Sequence, residues 1–94
     1  MTNAVGRQPL HQFNIGPAQL AAMEAVCKRL SHLTIQPIVA IRGFRVLPTR
    51  YMADQAACTL RYAATLAAEP IRSEAIMVAE QLENSQSEAQ LEPE

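Results

Sequence analysis

Cys27, Cys58, His11 and His32 are the side chains best able to hold a metal ion or to supply a nucleophile and its base. Cys27 and His32 lie five residues apart, which on a helix turns them about 140° from each other. They therefore do not face one ion. Cys58 and His11 show no ligand spacing, and the paired short spacings of structural zinc sites are absent. No metal site is expected. Nucleophilic catalysis needs a Ser or Cys beside a His that an acid orients, and neither a G-x-S-x-G turn nor a signature cysteine context occurs. Gly6, Gly16 and Gly43 are isolated, so no glycine loop can cradle a phosphate. A chain of 94 residues also leaves little room for a substrate pocket. The expectation is no enzyme and no cofactor.

Plainer roles fit the same residues. Cys27 reads as a small buried apolar residue. His32, near the end of a helix, favours the helix dipole as an imidazolium. Cys58 shares a face with Tyr51, Gln55, Tyr62 and Thr65 and reads as partly exposed. A Cys27–Cys58 disulfide would need close antiparallel helices and an oxidising compartment. Two cysteines behind an N-terminus without an apolar h-region predict reduced thiols and a cytoplasmic protein. No apolar run is long enough to span a membrane.

The elements that position these residues are helical. Gly16 is a candidate N-cap with Pro17 at N1, and Ile15 and Leu20 have the spacing of a hydrophobic staple. Leu20, Met23, Cys27, Leu30 and Thr34 then form one stripe, with Val26 and Leu33 beside it. This predicts a helix over about 17–33. Pro48 and Thr49 open a second helix at 49–68, which holds seven of the sixteen alanines and is favoured by their propensity. Met52, Ala56, Leu60, Ala63 and Ala67 lie along it at heptad-like spacing. Pro70 must end or kink that helix. A third helix at 70–84 carries Ile71, Ala75, Val78 and Leu82. Between the first two, residues 37–46 are read as a short apolar connector helix, because a lone strand there would leave its backbone groups without a partner. The predicted fold is an all-α small helical bundle of three main helices and this connector. Its single domain covers 15–84, between a flexible lead-in at 1–14, whose end can dock through Phe13 and Ile15, and an acidic tail at 85–94.

Charge is unevenly spread. Residues 28–61 carry six basic side chains against Asp54 alone, and residues 69–94 carry seven glutamates against Arg72. Arg42, Arg45 and Arg50 form a candidate basic contact patch. They gain a second meaning if 38–46 is an intermolecular strand. The order strand, helix, helix, with Phe44-Arg-Val-Leu-Pro48 and then Arg72-Ser-Glu-Ala-Ile76, resembles the ribbon-helix-helix DNA-binding family. The resemblance covers about 45 of the 94 residues and implies a dimer that reads the major groove with a two-stranded ribbon. The chain departs from that family in the length of helix 49–68, in Gly43 within the strand, and in the complete helix before it. It also carries a net charge of −1, whereas DNA binders are usually basic.

Composition points toward a partner. Apolar residues make up 49% of the chain, yet there is no Trp and a third of the apolar class is alanine, which buries little area per residue. Two helices also show more apolar faces than a small bundle needs, and a short chain with a limited core gains from association. The expected function is a small non-enzymatic interaction module: a regulator, inhibitor or adaptor, working as a homodimer and on a protein partner. Its candidate interface is Tyr51, Ala56, Leu60, Ala63, Ala67, Ile76 and Met77.

Overall fold

The computed structural model describes residues 13–85. The expectations for residues 1–12 and 86–94 lie outside the described residues. Four helices follow in order: α1 (Pro17–Arg29), α2 (Gln36–Val46), α3 (Arg50–Leu66) and α4 (Ile71–Asn84). Among the described residues there is no strand. Helix α3 is the hub, packing most extensively against α4 and then α2, while α1 closes the bundle across α2 and α4.

Helix α1 starts as its residues dictate. Gly16 is extended at the N-cap, Pro17 follows at N1, and the staple residues Ile15 and Leu20 are both buried. The helix ends at Arg29, short of the expected 33, because two side chains beyond it take up its terminal carbonyls. Ser31 Oγ donates to the Lys28 carbonyl at 2.6 Å, and His32 Nδ1 lies 2.8 Å from the Arg29 carbonyl. Such local bonds compete with continued helix. The chain ahead of α1 is anchored too. Phe13 is buried and packs edge-on against Phe44, with ring centroids 5.1 Å apart, and the Arg50 guanidinium lies 5.5 Å from the Phe13 ring centre. Phe13 and Ile15 thus both pack into the core of the bundle.

The 38–46 segment is helical, and the intermolecular-strand alternative is corrected on that point. Pro37 fits the first turn, and Ile38, Ile41 and Phe44 then point into the core. As a helix the segment satisfies its backbone internally, which an unpaired strand cannot do. Gly43 interrupts nothing: a Cβ built there would come within 2.6 Å of Met52 Cε, the free end of a flexible side chain on α3.

Thr49 caps α3, its hydroxyl accepting from the Met52 N–H at 3.1 Å. Ala53, Ala56, Ala57, Leu60, Ala63 and Ala64 form the buried face. The helix stops at Leu66, two residues before the expected end, and Ala67 is extended; a helix continued through Pro70 would set its ring against the Leu66 carbonyl. Arg72 Nε donates to the Ala67 carbonyl at 3.0 Å. The Glu69–Pro70 peptide is cis, and Pro70 occupies the N-cap of α4 where N1 was expected. Pro70 thus marks a turn between two helices. Glu69 supplies the missing cap chemistry: its Oε1 accepts from the Ser73 hydroxyl at 2.7 Å and from the Ser73 N–H at 3.2 Å. These bonds hold the Glu69 carboxyl below its usual range.

Candidate interaction surface

Helix α3 has two stripes of the same period on opposite sides. At about 100° per residue, Ala53, Ala56, Leu60 and Ala63 fall on one side, and all are buried, as is Ala67 just past the helix end. Diametrically opposite lie Tyr51, Gln55, Cys58, Tyr62 and Thr65, spaced four, three, four and three residues apart, all exposed. Leu66 extends this outer stripe. It contains no charged residue along a length of about 22 Å. Tyr51 is 68% exposed and Tyr62 56% exposed. Burial of aromatic rings of this size is a strong drive to association.

Helix α2 carries an exposed stripe of its own. Its core face uses Pro37, Ile38, Ile41 and Phe44, which turns Ile35, Val39, Arg42 and Val46 outward at four-three-four spacing. Val39 is 60% and Val46 82% exposed, and Leu47 beyond the helix end is also exposed. Most of the large exposed apolar side chains of the described chain therefore belong to the α2–α3 hairpin; Leu33 and Met77 are the others.

Ion pairs join side chains of all four helices. Arg45 reaches Glu24 on α1 at 3.2 Å, and Arg29 reaches Glu74 on α4 at 2.7 Å. Arg61 holds Glu83 through two bonds of 2.8 and 2.7 Å, which keeps the Glu83 carboxyl below its usual range. Arg50 pairs with Asp54 at 3.2 Å and donates Nη2 to the Leu82 carbonyl at 2.6 Å. The candidate basic patch is thus divided. Arg45 and Arg50 tie helices together, while Arg42 makes no ion pair among the described residues.

Among the described residues, two open clefts lie along α1 and α4. One, of about 230 Å³, lies between α1 and α4 and is bordered by Met23, Val26, Met77 and Val78. Its carboxylate, Glu74, is already paired with Arg29. The other, about 470 Å³, is lined by polar residues including Asn14, Glu80 and Asn84. Neither brings a nucleophile beside a base. Among the described residues no group of three metal-ligating side chains forms, and no helix is long and apolar enough to cross a membrane. Both cysteines are free thiols. Cys27 is buried, and desolvation pushes its thiol up to about 12; Cys58 is exposed.

The candidate interface residues separate into two sets. Ala56, Leu60, Ala63 and Ala67 are buried within the chain's own core, where α2 and α4 cover them. Ile76 is half-buried. Tyr51 and Met77 face outward, on different helices. The outer residues of α2 were missed by the sequence reading. Their signal was present: once Ile38, Ile41 and Phe44 define the core stripe, Ile35, Val39 and Val46 must point away from it. No family model matches this chain, and no curated protein or solved structure matches it significantly.

Proposed function

We propose that the protein is a small non-enzymatic protein–protein interaction module, a regulator, inhibitor or adaptor, whose working surface is the outer side of the α2–α3 hairpin. The observation that carries this reading is the concentration of exposed apolar side chains there: Ile35, Val39, Val46, Leu47, Tyr51, Tyr62 and Leu66. An uncovered apolar surface of this kind marks an interaction site. Self-association belongs to the same reading. Shifting the dimer from the alanine face to the outer face follows from burial, since a face already covered by α2 and α4 has nothing left to offer. The mechanism is occupation: the hairpin covers an apolar patch on its partner, and Arg42 supplies one charged contact at the centre of the α2 stripe.

The test replaces Val39 and Val46 together with glutamate. Both are exposed, so helix content and melting temperature stay near those of the parent. Proteins captured by the parent from a native lysate should be lost with the double variant. Identical capture by parent and variant would contradict the α2 part of the surface.

A further inference from the structure

Resting on that reading, we infer that a second copy of this chain docks antiparallel on the outer face of α3, about a twofold axis passing beside Cys58. The stripe Tyr51, Gln55, Cys58, Tyr62 and Thr65 has the alternating four-three spacing of a helix seam, and each of its residues is exposed. Cys58 is the middle residue of α3, which runs from Arg50 to Leu66.

The choice of a second copy comes from the charges beside the seam. Asp54 lies four residues before Cys58 and Arg61 three residues after it. Seven residues apart, they fall on the same flank of α3, the side on which Arg61 meets Glu83 of α4. An antiparallel pair has its twofold axis perpendicular to both helices and to the line joining them. That operation keeps each flank on its own side and reverses the chain direction. Asp54 then stands opposite the partner's Arg61, and Arg61 opposite the partner's Asp54. One such surface is complementary to itself, as a closed twofold dimer requires. A parallel pair would carry the two flanks to opposite sides and lose both contacts.

The existing ion pairs permit this. Asp54 and Arg61 keep side-chain exposures of 58% and 46% while bound to Arg50 and Glu83, so each has room for a second partner. The same register sets Leu66 near the partner's Tyr51 at each end of the seam, closing it with apolar contacts. The seam is about 22 Å long, so the interface belongs to the small class that forms reversibly. The dimer dissociates on dilution.

The test uses two variants of the full chain, Asp54→Arg and Arg61→Asp, with circular dichroism and thermal melts to confirm folding. Each variant alone brings like charges together across the axis and sediments as a monomer at concentrations where the parent is dimeric. An equal mixture restores both opposite-charge contacts and sediments as a dimer. A mixture that stays monomeric while both variants are folded overturns the register. Should either variant fail to fold, a short bis-maleimide on the parent decides. It should yield a covalent dimer through Cys58, abolished by Cys58→Ser. A parent that sediments as a dimer yet gives no such product overturns the proposal. A parent that is monomeric at every concentration overturns it too, while the α2 surface keeps its own separate test.

Discussion

The two sides of α3 carry stripes with the same period and opposite fates. The inner one is made of alanines around Leu60 and is fully covered. The outer one is made of tyrosines around Cys58 and is open to solvent. Periodicity is identical in the two, so periodicity does not decide which side is the core. Size does. Small side chains let neighbouring helices come close, and α2 and α4 both pack against α3. Tyrosines would hold those neighbours apart. The larger stripe is therefore left outside, exposed to solvent.

Substitutions at matched positions break this comparison most sharply. Leu60→Ala on the inner face removes a fully buried side chain and should cost about 2–5 kcal/mol, seen as a lower denaturant midpoint. Tyr62→Glu on the outer face, two residues on, should leave stability within about 0.5 kcal/mol while abolishing self-association. Equal losses of stability from both would show that the faces do not differ as described.

Thiol chemistry gives the next contrast. In the native protein a thiol reagent at neutral pH should consume Cys58 alone, with Cys27 reacting after denaturation. The Cys27 thiol titrates near 12 in the fold against 9.0 in its ordinary state. Because the folded value is raised, the neutral thiol is favoured by folding, and its contribution is full below pH 9.0 and lost as pH rises toward about 12. Rapid native modification of Cys27 would contradict the packing of α1.

Smaller effects probe the hairpin and the rim. Gly43→Ala should raise stability by about 0.5–1 kcal/mol through helix propensity, because the Cβ meets only the flexible end of Met52. A loss instead would mean that Met52 cannot yield. On the rim, Glu69 and Glu83 have folded pKa values below the usual 4.5. Their stabilisation is present above that unfolded value and is lost as pH falls through the folded one. Thermal melts should therefore show a modest acid-side decline that Glu83→Gln reduces. An unchanged acid profile in that variant would remove the Arg61–Glu83 pair from the account.

The sequence made the four helices legible where local rules agree. Pro17 after Gly16, Thr49 before the alanine-rich run, and Ile38, Ile41 and Phe44 at one-turn spacing all agree with their final positions. Helix ends were less legible because they depend on tertiary partners. Arg72 reaching back to Ala67 closes α3, and no pattern within α3 announces it. The proposed interaction surface was half legible. The Tyr51–Cys58–Tyr62 side was visible as a separate face, but the alanine stripe looked equally ready for a dimer until α2 and α4 were seen to cover it. Arg42, Arg45 and Arg50 looked like one patch because proximity in sequence hides their different targets: Arg45 turns to Glu24 of α1 and Arg50 to the end of α4.

The most direct test of the account is sedimentation equilibrium of the unmodified chain across a wide concentration range, beside the Tyr62→Glu variant. The mass of the parent should rise from one chain toward two with concentration, and that of the variant should stay at one chain throughout. A parent that remains a single chain at the highest concentration, or a variant that dimerises as well as the parent, would contradict the assignment of the outer face of α3 to a second copy.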